Sequence, residues 1–397
     1  MQKSKVNFLE FAGLLYCFSI AFAASTGHIA IKISRLLLAI SFFIYILKKQ
    51  KIEIHKEFYT KWVISFFVFC AFSFFWSVSR SNTISALLSM LYVVACNFIL
   101  AFILSKSGDQ YVYSMMRYSI YGAIAHGLSI FLRHGFNIYF LSRGGTIVEN
   151  ANTLTFICCF SFIFCFVLLV SNKVGRKKLY YFFAFILFIF AFLTTSKKFV
   201  LYLGSFFFAY FIGNSKNKNK LVNRLLISLA VIIAAYFLFM KVPFLYRLLG
   251  NRFETMLSGI MGSSTDASTS FRLAMIQYGY GWFLSKPVFG YGLDCFKYLL
   301  GTNYTTWAGT AGVYSHNNYI ELMVNLGLVG LILYYSLYAK LIYIFCKQEK
   351  KNRGVLIAFS LIVSLMVAEI GQVSYSIAFL QEIVLIAFFL IWLPKKI

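Results

Sequence analysis

The strongest constraint on this chain is a series of apolar runs too long and too numerous for a water-soluble interior. TLTFICCFSFIFCFVLLV (153–170) and LLISLAVIIAAYFLFM (225–240) each approach the ~20 residues that a helix needs to cross a bilayer core. In lipid each backbone N–H and C=O must be paired within the segment, so such runs fold as helices. With 60% of residues hydrophobic and 12% charged, no soluble fold of this length could hide the apolar surface. The expected class is an all-α polytopic integral membrane protein, a single membrane domain over 1–397. Hydropathy places about twelve transmembrane helices, near 8–26, 29–47, 59–77, 84–105, 112–132, 153–171, 179–194, 199–213, 225–242, 318–339, 354–371 and 379–393. The N-terminal run reads as an uncleaved first helix rather than a signal peptide, because so many spans follow it.

Charge sets the orientation. The formal net charge is +25, which on a soluble chain would suggest nucleic acid. Here the Lys and Arg residues fall in short loops between apolar runs, so membrane orientation explains them and a nucleic-acid partner is not expected. The richer set of loops includes KK at 48–49, RKK at 176–178 and KQEKKNR at 347–353. Placing that set inside puts both termini in the cytoplasm. The 8 cysteines form no CxxC pair and no Cys/His cluster, so neither a zinc site nor a disulfide framework is expected.

Two loops then fall on the outer side. The first is RHGFNIYFLSRGGTIVENAN (133–152). The second is long, from about 243 to 317, with a Gly/Ser-rich tract before FRLAMIQYGYGWFLSKPVFGYGLDCF. Loops of this length are usually functional or disordered. The aromatic residues of 278–307 favour order, with helical pieces lying at the outer interface.

In such a protein the informative residues are the charges that composition did not oblige to be there. The outer basic residues are Arg143, Lys197, Lys198, Arg252 and Arg272. An outer Lys-Lys pair runs against the positive-inside bias. Lys197 is read as an anion ligand, whereas Lys198 either snorkels to lipid phosphate or serves the same site. Arg143 sits beside Gly144 and Gly145, which let backbone approach an anion. Basic residues converging on one outer cavity would suit a phosphate or diphosphate, Arg as a fork and Lys as a point charge. Lys32 and Arg35 lie one turn apart near the outer end of the second span and either snorkel or line that cavity.

GVYSHNNYIELMVNLGLVG (312–330) places His316, Asn317 and Glu321 at the lip of an apolar run. One reading is a polar helix start. The other is that His316 acts as a general base, since imidazole titrates near neutral pH. Glu321 lies one turn after Asn317 on the same helix face. Gly327 and Gly330 allow close packing. No DxD metal site, P-loop or Ser/His/Asp triad occurs, and Arg117, His126, Glu369 and Glu382 read as structural.

These motifs resemble the O-antigen polymerase and ligase superfamily, integral membrane glycosyltransferases of GT-C-like character. The resemblance rests on SFRLAMIQYGYGWFLSKPVFGYGLDCF followed by SHNNYIELMVNLGLVGLI. Together they give an arginine, a helical piece, a Pro-x-x-Gly-x-Gly turn, His-Asn and Gly-x-x-Gly. RGGTIVENANTLTF is similar to the family's earlier outer loop, with Asn152 at the helix start. TTSKKFVLYL corresponds to a Thr-x-Ser-Arg turn, with Lys197 in place of the arginine and the bidentate fork lost.

The resemblance implies transfer of an undecaprenyl-diphosphate-linked glycan to a sugar hydroxyl, with inversion, without a metal or other cofactor, at the periplasmic face of the bacterial inner membrane. It casts Arg143, Lys197 and Arg272 as diphosphate ligands and His316, helped by Glu321, as the catalytic base. Asn317, Asn152, Lys198, Arg252, Lys32 and Arg35 are secondary candidates. The product would be O-antigen or capsular polysaccharide. The implied partners are lipid-linked oligosaccharide, membrane lipids, a chain-length regulator and a flippase. A polymerase, a ligase acting on lipid A–core, and a lipid-linked-sugar transporter are the readings to separate.

Overall fold

The computed structural model describes residues 7–23, 28–48, 57–134, 151–215, 218–251, 254–255, 258, 267–304, 312–348 and 352–392. Those residues are helical with connecting turns and contain no strand. The helices are α1 (Phe8–Ala23), α2 (Ile29–Lys48), α3 (Phe58–Phe72), α4 (Arg80–Ser107), α5 (Asp109–His134), α6 (Ala151–Val170) and α7 (Lys177–Leu193). They continue with α8 (Lys198–Gly213), α9 (Lys218–Lys241), α10 (Ala267–Ser285), α11 (Cys295–Asn303), α12 (Asn318–Lys347), α13 (Arg353–Glu369) and α14 (Ala378–Trp392). A 3-10 turn, Ser73–Trp76, extends α3.

Each of the twelve apolar stretches read from the sequence is a helix, but twelve spans do not follow. Among the described residues six segments are long and apolar enough to cross a membrane: Ile29–Lys48, Phe58–Trp76, Arg80–Ser107, Ala151–Val170, Asn219–Lys241 and Asn318–Lys347. Three shorter apolar helices accompany them, Phe8–Ala23, Lys198–Gly213 and Ala378–Trp392. For these three helices length is what falls short, since 15 or 16 residues do not reach the ~20 a bilayer core requires.

Burial follows composition. α6 and α14 are apolar on all sides and lie inside the bundle, where nearly every residue of α14 is buried. The 225–240 stretch of α9 is also apolar, yet most of its side chains are exposed, with Leu226 and Val231 each about 60% accessible. An apolar helix with no protein cover faces lipid, not water. α1 packs on α5, α13 on α8, and α6 on α7.

Several buried polar groups in the bundle are paired, which offsets their desolvation, whereas others, among them both side-chain polar atoms of Asn97 and one oxygen of Glu382, have no hydrogen-bond partner among the described residues. The carboxylate of Glu369 in α13 accepts from Tyr338 (2.9 Å) and Tyr334 (3.2 Å) at one oxygen and from Tyr335 (2.9 Å) at the other. Ser374 Oγ also donates to it. Glu382 accepts from Ser119 at 2.8 Å. Arg117 donates to the Lys173 carbonyl, and His126 Nδ1 contacts the Phe22 carbonyl.

The Pro-x-x-Gly-x-Gly turn and the Gly-x-x-Gly helix prove to be one feature. α12 is broken at Gly327, whose φ of 65° and ψ of −166° lie in a region essentially open only to glycine. The carbonyls freed by the break are taken up by the turn. Tyr291 N–H donates to Val324 O at 2.9 Å and Gly292 N–H to Asn325 O at 2.8 Å. In return, Leu328 and Val329 N–H donate to the carbonyls of Pro287 and Val288, at 2.8 and 3.2 Å. Asn325 completes the junction by accepting from Phe296 N–H at 2.7 Å. Gly327 is thus needed to break the helix, a stricter demand than the close packing expected of it.

Candidate active site

The lip of α12 is held open by its own hydrogen bonds. Asn317 caps the helix, its Oδ1 accepting from the N–H groups of Tyr319 (2.9 Å) and Ile320 (3.1 Å). Ser315 Oγ donates to the Asn317 carbonyl at 2.7 Å, and Ser315 N–H donates to Glu321 Oε2 at the same distance. The other oxygen of Glu321 accepts from Asn325 Nδ2 at 3.1 Å. Glu321 is almost completely buried, so its main work is to tie the loop to the helix. Between these ties His316 takes a left-handed conformation, φ 57°, which is uncommon outside glycine. The polar helix start and the displayed imidazole are therefore the same structure, because the cap and the carboxylate hold the turn that presents the ring.

His316 opens into a cavity of about 290 Å³. Four elements line it. Asn152 and Thr153 come from the start of α6 and Lys198 from the start of α8. Arg272 of α10 supplies a further cation, and the loop Gly371–Ile377 between α13 and α14 closes the rest. Tyr314 and Asp294 also line it. Among the described residues Arg272 has no ion pair or hydrogen bond, and the His316 ring has none either. The imidazole rests against Tyr314, with ring centroids 4.2 Å apart.

Electrostatics follow from that crowding. Burial, then the Arg272 guanidinium and the Lys198 ammonium, push His316 down from 6.5 to about 4. At neutral pH it is an uncharged imidazole with a lone pair. Asp294 moves the other way: burial raises it, and Lys297, 2.5 Å away, opposes the rise. The Tyr314 phenol is raised by burial and by the nearby Glu321 carboxylate, against Arg272, and stays protonated.

The residues expected from the sequence divide as follows. His316, Glu321, Arg272, Asn152 and Lys198 share the cavity. Asn152 Oδ1 also accepts from Ser196 Oγ at 2.8 Å, tying α6 to the TTSK turn. Lys197, cast by the resemblance as a diphosphate ligand, is not among the lining residues, and Lys198 is. Successive residues at a helix start point about 100° apart, so one lysine of the pair can face the cavity. Lys198 Nζ donates to the Gly371 carbonyl at 2.6 Å. Asn317 serves as the cap. Lys32 is exposed on α2, and Arg35 lies over the Tyr92 ring at 5.6 Å; neither lines the cavity. Arg143 and Arg252 lie outside the described residues.

Sequence reasoning missed Asp294, Tyr314 and the 371–377 loop. The polar run GQVSYS between two apolar helices was the available signal for the last. Among the described residues no three His, Cys, Asp or Glu side chains gather as a metal site. What the arrangement can do chemically is bind an anion on two cations beside a neutral base.

No curated protein matches the chain. Residues 182–335 match the family model described as O-antigen ligase. That stretch carries Lys198, Arg272 and His316, and the match supports placing the chain in the O-antigen polymerase and ligase superfamily.

Proposed function

We propose that the chain is a bacterial O-antigen or capsular polysaccharide polymerase, joining one undecaprenyl-diphosphate-linked glycan to a sugar hydroxyl of another at the periplasmic face of the inner membrane. The observation that carries this reading is the meeting of His316 with Arg272 and Lys198 in one cavity. In the reaction, a ring nitrogen of His316 takes the proton of the acceptor hydroxyl. The acceptor oxygen attacks the anomeric carbon from the face opposite the leaving group, and the bond from that carbon to the diphosphate oxygen breaks. Undecaprenyl diphosphate leaves with the electron pair, and Arg272 and Lys198 stabilise the charge it gains. Glu321 acts through Ser315, fixing the turn that carries the base. An arriving diphosphate also offsets the two cations that hold His316 low, so the base strengthens when donor is bound.

His316→Ala and Arg272→Ala are expected to abolish long glycan chains in cells while the protein inserts at wild-type levels. Full-length chains in both variants would remove the assignment. A deletion strain separates polymerase from ligase by its lipopolysaccharide bands. Core bearing one repeat unit indicates the polymerase, and bare core with lipid-linked polymer accumulating indicates the ligase. A transporter of the same lipids would move labelled repeats across a liposome membrane without extending them.

A further inference from the structure

The cavity has two chemically different parts, and only one falls within the segment matched to the family model. Lys198, Arg272 and His316 lie inside 182–335. The loop Gly371–Ile377 lies outside it, as do Asn152 and Thr153, and is neutral, with Gln372 and Ser376, an amide and a hydroxyl residue, among those lining the cavity. Charges recognise a diphosphate, which all donors of this type would share. An amide and a hydroxyl match sugar hydroxyls, which differ from glycan to glycan.

The loop is also built to hold its position. Ser374 Oγ donates to Glu369, and Ser374 N–H donates to Asn318 Oδ1 at 2.9 Å. Gln381 Nε2 donates to the Ser374 carbonyl at 3.1 Å, and Lys198 donates to the Gly371 carbonyl at 2.6 Å. Four ties from four helices fix the seven-residue loop. Gln372 lies between the tied Gly371 and Ser374 and Ser376 just beyond them, both half-buried, and among the described residues neither side chain has a hydrogen-bond partner. A rigid backbone presenting unused donors and acceptors discriminates well, because a substrate lacking the matching hydroxyl leaves those groups unpaired.

We infer that the 371–377 loop is the glycan-recognition wall of the site, with Gln372 and Ser376 selecting the sugar. This rests on the polymerase reading above. The test uses full-length protein in liposomes and lipid-linked glycan extracted from a strain deleted for this chain, with inorganic pyrophosphate as a competing anion. Gln372→Ala and Ser376→Ala are each expected to raise KM for the glycan roughly tenfold, while inhibition by pyrophosphate stays within about twofold. Gln372→Asn, which keeps the amide, should recover part of the loss. An unchanged glycan KM in both alanine variants, or pyrophosphate inhibition weakening in step with KM, overturns the assignment and leaves the polymerase reading standing. If wild-type protein fails to extend the extracted glycan, the polymerase reading fails and this inference with it.

Discussion

Replacing Gly327 by alanine tests whether the break in α12 builds the site. A Cβ at this position would stand 2.2 Å from the Val288 carbonyl oxygen, well inside van der Waals contact. The backbone conformation itself costs a non-glycine residue about 1–3 kcal/mol. Relieving the clash requires the 287–292 turn to retreat, and the bonds from Leu328 and Val329 N–H to its carbonyls are worth about 1 kcal/mol each. The expected loss is therefore about 3–5 kcal/mol, a large share of a typical folding free energy. Thermal unfolding of the detergent-solubilised protein should show a clearly lowered midpoint, and glycan extension should fall because residues 318–326 carry Glu321 and abut His316. Gly281→Ala is the control: nothing lies within 4 Å of its added Cβ, and alanine favours a helix by about 0.5–1 kcal/mol, so it should melt at or slightly above the wild type. A Gly327→Ala protein that melts and extends glycan like the wild type would refute the reasoning.

The pH dependence of His316 has a definite sign. Its folded value, about 4, lies below its ordinary 6.5, so as pH falls the unfolded chain takes up this proton first. Its contribution to stability is intact above about 6.5, is lost progressively down to about 4, and is flat below that. The acid limb of kcat/KM, which reports the free enzyme, should lie well below 6.5, and Lys198→Met should move it upward by removing one depressing charge. Asn317→Ala deprives α12 of its cap and should cost about 1 kcal/mol, read as a lowered unfolding midpoint. Chain extension by purified protein should continue in EDTA, since Arg272 and Lys198 supply the positive charge; a rate abolished by EDTA and restored by a divalent ion would contradict that.

The helices were legible because apolar period and polar punctuation act locally. The lip at 312–321 was legible for the same reason, as a rare histidine and glutamate in a chain with 12 acidic residues. Choosing between Lys197 and Lys198 was not possible, because the direction of a side chain at a helix start depends on the turn before it, where Thr195 adopts a positive φ of 52°. The 371–377 wall was hidden for a different reason. Its residues are ordinary loop residues in sequence, and what brings them to the cavity is a network centred on Glu369, about fifty positions from His316 in the chain. The break at Gly327 was half legible: the glycine was visible, but its partner turn lies some forty residues earlier, and only their meeting explains either.

Asn318 holds both sides of the cavity at once. It begins the helix that follows His316, accepts from Ser374 N–H and donates to Tyr335 at 3.1 Å. A helical bundle tilts and breathes with the thickness of the surrounding lipid. Here Asn318 joins the start of the helix after His316 to the opposing loop, so such movement is expected to shift the imidazole and that loop together.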